Sequence, residues 1–440
     1  MYRVLSAPIT CQVELTSACN NNCVYCYNYW RHSAQRHHDF MDEKTADRTV
    51  EELIENNIFH VTLTGGEVFL RRGQLFRMAE KLLTAGISCA VNSNLTLFSH
   101  EDAMKLRSLG IDGILTSVCS FERSRHDEIS QRNGSFQRTL RGIGIAVEHG
   151  ISVAVSMVVV KRNVGDVRQT GLFLKELGVN QFFATKASPP LNSRNFQELM
   201  VSREELKSVM DDLAFLRDEG MEVGILECYP LCGYKQQSRY SFVAGRRCSA
   251  GITTCTIGAT GGIRPCSHSD EEYGNIAVGG MKKAWEGMVV CRNGTRLPQA
   301  CRSCKLLPRC SGGCRVDALY CTGKYDEQDP YADPAGVSLV ELAELKMPDI
   351  KELQELSVNP CLKIRREKFG ILIAEKNRAG TPALVTVGTF ALIKQLESTR
   401  FTAAEMAKIA NLSVRDAEML CRAMLRDRIF LLVDTTRVAK

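Results

Sequence analysis

Over the first half of the chain, short β-rich apolar runs alternate with amphipathic helical stretches. The pattern predicts strands at 12–16, 61–64, 88–92, 113–117, 153–159 and 181–184, and helices at 42–56, 74–85, 135–149 and 167–177. Strands that alternate with helices imply an α/β fold with a parallel sheet. Six or so such units imply a partial (β/α)6, TIM-like barrel over residues 1–225. Past Pro334 the pattern changes. Residues 334–358 read as a polar helical connector, and 361–388 alternate like a hairpin turning at 377–380. Two or three helices and a closing strand follow, with Thr402 and Ser413 as N-caps and Glu405 and Asp416 three residues on. The shape predicted for 359–440 is winged-helix-like.

At 440 residues the chain is too long for one core, so two or three domains are expected. Net charge is +6 from 56 basic and 50 acidic residues, which does not call for nucleic acid. No apolar run is long enough to span a membrane, and MYRVLSAPITCQVEL lacks the apolar core of a signal peptide. A cytoplasmic protein is expected. Nineteen cysteines are the anomaly. Without an export signal they point to metal rather than disulfides. Cys89, Cys119, Cys291 and Cys421 stand apart and read as ordinary buried thiols.

Cys19, Cys23 and Cys26 lie in SACNNNCVYC, a C-x3-C-x2-C loop that follows the first predicted strand. Gly65-Gly66-Glu67 ends the second, Ser93-Asn94-Leu95-Thr96 the third and Ser117 the fourth. All four features sit at C-terminal strand ends, the active-site face of a β/α barrel. A [4Fe–4S] cluster held by three thiolates keeps one iron open to a small molecule. The plainer alternative is zinc with a distant fourth ligand among His32, His37 and His38, although zinc prefers closed sets with paired C-x2-C spacings. Tyr25, inside the loop, would cover the cluster.

These motifs, in this order, resemble the radical S-adenosylmethionine (radical SAM) enzymes over residues 8–190. The resemblance implies a radical SAM barrel whose cluster on Cys19, Cys23 and Cys26 chelates SAM through its open iron. An electron donor such as flavodoxin or ferredoxin then drives cleavage of SAM to a 5′-deoxyadenosyl radical. It also implies SAM contacts from Gly65 and Gly66, from Glu67 to the SAM amino group, and from Asn94 and Ser117. Leu95 departs from the family, which has glycine there.

A second cysteine field spans 226–333. Cys248, Cys255 and Cys266 precede Cys301-x2-Cys304-x5-Cys310-x3-Cys314 and Cys321. Zinc ribbons are the plain reading, but only one pair has the C-x2-C spacing. The field is similar to the SPASM extension of radical SAM enzymes, which carries two auxiliary [4Fe–4S] clusters. That resemblance implies Cys248, Cys266 and Cys314 on the first, with Cys255 as fourth ligand, and Cys301, Cys304 and Cys310 on the second. The family's last ligand falls where this chain has Ala332. Cys321, Cys361 or an open iron are the alternatives. Cys228 and Cys232 read as structural thiols.

The C-terminal region resembles the small winged-helix recognition elements of ribosomal-peptide maturation systems, with KIRREKFGILI the most suggestive stretch. Such elements bind a leader peptide by strand addition. The whole resembles radical SAM/SPASM peptide maturases, including darobactin- and triceptide-type cyclophane synthases. It implies a precursor-peptide partner and side-chain crosslinking. Formylglycine formation and thioether formation are alternatives within the enzymes. A metal-stabilised DNA-binding regulator is the non-enzyme alternative, but Arg415, Arg422 and Arg426 are interleaved with Asp416 and Glu418, which suits a solvated helix face better than phosphate.

Overall fold

The computed structural model describes residues 3–28, 39–111, 113–189, 196–234, 239–243, 246–339, 348 and 354–433. His32, His37 and His38 and most of the predicted connector lie outside them.

The first half runs β1 Thr10–Glu14, α1 Glu43–Glu55, β2 His60–Thr64, α2 Arg72–Thr84, β3 Ser88–Asn92, α3 His100–Leu109, β4 Gly113–Ser117, α4 Arg123–Ser130, α5 Ser135–Glu148, β5 Ser152–Val159, α6 Val167–Glu176, β6 Gln181–Lys186, α7 Arg203–Asp218 and β7 Glu222–Gly224. Local chemistry starts several of the helices. Asp42 caps α1 by accepting from the Thr45 amide at 2.6 Å, and reciprocal Ser/acid capping boxes open α3 (Ser99, Asp102) and α7 (Ser202, Glu205). Val13, Leu15, Val61, Leu63, Val91, Val155 and Phe182 are fully buried in the core that the strands share with these helices. Each such side chain contributes about 1.5–3 kcal/mol.

The sheet runs further than the predicted six strands. Strands β8 Thr254–Ile257, β9 Gly262–Arg264 and β10 Gly274–Asn275 come from inside the cysteine field. The order is β10-β9-β8-β1-β2-β3-β4-β5-β6-β7. β8 runs parallel to β1 with Cys11 opposite Cys255, and β9 and β10 add antiparallel at the edge. The rest of the field is short helices: α8 Gly280–Gly287, α9 Gln299–Arg302, α10 Leu307–Cys310 and α11 Arg315–Thr322.

The C-terminal unit has its own core, including Leu356, Ile373, Met406, Cys421 and Phe430. Its elements are β11 Leu356–Val358, β12 Leu362–Glu367, β13 Gly370–Glu375, β14 Ala383–Val385, α12 Val387–Leu396, β15 Arg400–Phe401, α13 Ala403–Ala410, α14 Val414–Arg426 and β16 Phe430–Leu432. The predicted connector therefore ends in a strand, and the predicted single hairpin is a three-stranded sheet, β12-β13-β14. β12 is docked on the barrel. Arg365 donates to the carbonyls of Ala7 at 2.9 Å and Pro8 at 2.6 Å. Asn57 Nδ2 donates to the Ile364 carbonyl at 2.8 Å, and the Ser6 amide to Glu367 at 2.8 Å.

His60, on β2, gives a pH prediction. Burial pushes its pKa down to about 4. Below its ordinary value of about 6.5 the unfolded chain takes up a proton that the folded chain refuses until about pH 4. Stability contributed by neutral His60 is thus full above that ordinary value and falls through this window, by up to about 2 kcal/mol given its partial exposure. His60→Gln should flatten the slope of urea-unfolding free energy against pH by about one proton there. An unchanged slope would reject the assignment.

Candidate active site and the cysteine field

The C-terminal strand ends and the loops after them enclose a cavity of about 210 Å³. Cys19, Cys23 and Cys26 line it, with Tyr25, Gly65, Gly66, Asn94 and Ser117. The two glycines act on the cysteine loop itself. Gly65 has φ +133°, and a Cβ there would lie 2.4 Å from the Thr16 carbonyl oxygen. A Cβ on Gly66 would lie 2.0 Å from the Ala18 oxygen. Only glycine lets β2 end flush against the backbone that leads into the cysteines.

Glu67 is fully buried and does not line the cavity. Its carboxylate accepts from the Phe69 amide at 3.0 Å, Ser93 Oγ at 2.7 Å and the Asn94 amide at 2.9 Å. Two of these donors reach one oxygen, and the other oxygen takes the Asn94 amide alone. Glu67 thereby fixes the loop after β3. Asn94 in turn donates through Nδ2 to Asn20 Oδ1 at 2.9 Å, so that loop is tied to the cysteine loop. Leu95 takes φ +57°, the left-handed region that the family's glycine would enter freely. It is fully buried, and its amide donates to Ser93 Oγ at 2.9 Å.

Sequence reasoning passed over Cys119. It is buried as expected, yet it lines the cavity and lies 3.6 Å from the Tyr25 hydroxyl. The signal was its place two residues past Ser117, on the same side of an extended chain. Burial and the neighbouring Cys119, Cys26 and Cys19 sulfurs push the Cys23 thiol well up. Tyr27, another lining residue, packs against His268 with ring centroids 3.9 Å apart and planes tilted by 35°, and His268 Nε2 meets Glu227 at 3.1 Å.

In the cysteine field the thiols form two groups. Cys228, Cys248, Cys266 and Cys314 pack together with Val316 and Tyr320. The Cys228 and Cys314 sulfurs and a Glu227 carboxylate oxygen lie within 4.8 Å of one another. Hydrogen bonding with Cys248 and Cys314 raises the Cys228 thiol, and the same bond lowers Cys248 to about 7. Cys301, Cys304 and Cys310 line a second cavity together with Cys232, Asp329 and Ala332. Burial, with the Cys310 and Cys301 sulfurs nearby, raises Cys232 to about 11.

Two expected ligands stand elsewhere. Cys255 is buried on β8, with its sulfur 3.4 Å from Cys11 Sγ. The strand register sets this, since Cys11 is its direct partner on β1. Cys321 lies seven residues past Cys314 on α11, about 10 Å along the helix, and lines neither the second cavity nor the one bounded by Cys248, Cys266, Cys291 and Cys314. Cys361 is exposed in the C-terminal unit.

Buried charges join the field to the barrel. Glu14, at the end of β1, pairs with Arg264 on β9, and Arg264 also donates to the Ser269 carbonyl at 2.9 Å. Lys186, at the end of β6, pairs with Asp317 on α11, both side chains fully buried. The Lys186 Nζ lies 5.6 Å from the Tyr229 ring and 5.3 Å from the Tyr331 ring. Asp329 accepts from the Cys314 amide at 2.8 Å and the Tyr331 amide at 2.9 Å, and burial raises its pKa to about 6.

Residues 13–174 match the Radical SAM superfamily. The AdoMet-dependent heme synthase of Methanosarcina barkeri is 26% identical over 352 residues, covering 75% of this chain and 98% of its own. The PqqA peptide cyclase of Rhizobium meliloti is 21% identical over 331 residues, covering 73% of this chain and 86% of its own. The crystal structure of Streptococcus suis SuiB bound to precursor peptide SuiA shares the fold, with a TM-score of 0.58 at 17% identity over 74% of this chain and 76% of that one. The superfamily uses a [4Fe–4S] cluster and SAM, and the donor set fits them. Three thiols converge on one cavity whose remaining wall carries the polar groups of Asn94, Ser117 and Ser156. Thiol donors and hydrogen-bonding groups lining one cavity suit a cluster with an amino-acid ligand beside it. The chain carries a radical SAM domain over residues 13–174 and is a radical SAM enzyme.

Proposed function

We propose that this enzyme modifies a ribosomally made precursor peptide, forming a macrocyclic side-chain crosslink by oxidative closure. When bound, the cluster and SAM would supply a 5′-deoxyadenosyl radical that takes one hydrogen from carbon, the electron coming from a donor such as flavodoxin or ferredoxin; closure loses the second hydrogen as a proton, and its electron would pass to an auxiliary cluster. The chain's own residues do the rest. Cys19, Cys23 and Cys26 would hold the cluster. Gly65 and Gly66 seat the cysteine loop, Glu67 and Asn94 lock the loop opposite, and Ser117 offers a polar contact at the cavity wall.

The observation that carries the reading is the C-terminal unit. Among the described residues β14 is paired on one side only, with β13. β12, on the opposite edge of that sheet, faces the barrel. Of that sheet's two edges, the one open to a leader strand is β14, not the KIRREKFGILI stretch, which forms β12 and β13. Leu384 and Val387 are exposed beside it. An exposed edge with apolar side chains is what strand addition uses, and docking there raises the local concentration of the core peptide at the barrel mouth. Replacing Leu384 and Val387 with glutamate should raise the KM for peptide by about tenfold or more, a loss of about 1.4 kcal/mol. Uncoupled SAM cleavage should stay as it was. Unchanged peptide turnover would reject docking on this edge.

One observation favours a second reading, a small-molecule substrate like that of a heme synthase. The Methanosarcina barkeri relative aligns over 98% of its length. It leaves a quarter of this chain without a counterpart, and the peptide reading gives that remainder a task. Co-expression with a neighbouring small open reading frame, followed by mass spectrometry, decides. A loss of two hydrogens per bond with residues joined supports crosslinking. An aldehyde supports formylglycine formation, a cysteine sulfur joined to carbon supports a thioether, and an unchanged peptide rejects the proposal.

A further inference from the structure

We infer that the five-residue segment Cys228-Tyr229-Pro230-Leu231-Cys232 gives one thiolate to each of two auxiliary four-iron sites. Cys228 completes Cys248, Cys266 and Cys314. Cys232 completes Cys301, Cys304 and Cys310 and replaces the ligand lost at Ala332. The inference rests on the reading that the cysteine field holds two clusters.

The placement of the sulfurs carries it. Cys228 packs with the first three thiols, its sulfur within 4.8 Å of Cys314 Sγ. Cys232 lines the same cavity as the second three, and Ala332 lines that cavity too. A methyl group stands where the family pattern has a sulfur, and a sulfur from another segment enters the same space. Each group then holds four thiols, the number that closes a [4Fe–4S] cluster. Backbone amides already point at these sulfurs. Leu231 N donates to Cys310 Sγ at 3.4 Å, Asp333 N to Cys232 Sγ at 3.3 Å, and Asp317 N to Cys314 Sγ at 3.5 Å. Such N–H···S bonds are the outer contacts that orient ligands and set cluster potentials.

The segment is held rigidly enough to serve two sites. Tyr229 is fully buried, and its hydroxyl accepts from the Lys186 amide at 2.8 Å. A Cβ on Gly336 would lie 2.7 Å from the Cys232 carbonyl oxygen, so the chain after Ala332 closes down on Cys232. Three of the alternative donors are engaged elsewhere. Cys255 meets Cys11 inside the sheet, Cys321 is two turns along α11, and both Asp329 oxygens accept backbone N–H groups. With both groups closed, neither auxiliary site has an open iron for substrate, and the barrel cavity is where substrate meets the chemistry.

Two measurements on the full chain, reconstituted anaerobically with iron and sulfide, test this. In the first, iodoacetamide labelling is mapped by mass spectrometry on the unmutated protein. Cys232 should be protected in the loaded chain and labelled once iron is chelated, while Cys321 should label in both. Equal labelling of Cys232 in both states overturns its assignment. In the second, reduced samples of single serine variants are compared by electron paramagnetic resonance. C228S and C232S should each alter the signal of a different auxiliary cluster, and C255S and C321S should alter neither. A changed signal in C255S or C321S, with C228S and C232S silent, overturns the proposal. Iron content separates this from failure of the underlying reading. About twelve irons per chain means three clusters are present, whatever their ligands, whereas about four means that the field holds none.

Discussion

Replacing Cys23 with alanine abolishes reductive cleavage of SAM and removes about four irons per chain, leaving about eight. The cavity wall offers Cys19, Cys23 and Cys26 on a single loop, so loss of the middle thiol leaves two donors for a cluster that needs three. The surrounding scaffold should survive. Its hydrogen bonds run through backbone and through Asn94, Glu67 and Ser93, and the Cys23 thiol bonds only to Tyr25 within its own loop. Anaerobic assay of 5′-deoxyadenosine, beside iron analysis and circular dichroism, checks all three points. A variant that still cleaves SAM would show that the cysteine loop does not hold the reactive cluster.

Replacing Lys186 with methionine should destabilise the chain by about 3–5 kcal/mol. Lys186 and Asp317 are both fully buried, and Asp329 is buried beside them. Removing the cation leaves two carboxylates in a place that penalises charge. Packing loss alone is small, because methionine fills much of the lysine's volume between the Tyr229 and Tyr331 rings. Replacing Asp317 with leucine in the same variant should recover much of the loss, because a buried pair exchanged for apolar groups of similar shape is often near neutral. Denaturant unfolding of the two variants tests this. A Lys186→Met cost under about 1 kcal/mol would mean that the pair does not stitch β6 to α11.

Much of the barrel was legible in the sequence because periodicity and burial agree there. Strands 88–92 and 113–117 were placed at their observed bounds, and 12–16 was displaced by two residues. The caps at Thr402 and Ser413 open α13 and α14. Composition hid the rest. TCTI at 254–257 reads as part of a cysteine cluster, yet it is a buried strand beside β1. The same strand carries Cys255 into the sheet, beside Cys11. Local spacing brought Cys301, Cys304 and Cys310 together correctly, since short separations leave few alternatives. The return of Cys228 and Cys232 to thiols dozens of residues away is set by tertiary packing, which no spacing encodes. Glu67 shows the same limit in the active site. Its motif marks the position, but only the structure reveals that its carboxylate is satisfied by Ser93, Phe69 and Asn94.

Radical SAM chemistry on a cluster-loaded chain is read from the full protein, reconstituted anaerobically with iron and sulfide and given SAM and dithionite. Bound iron at about twelve per chain is expected, with steady release of 5′-deoxyadenosine that is lost when iron is chelated. Bound zinc in place of iron, with SAM left intact, would contradict that expectation.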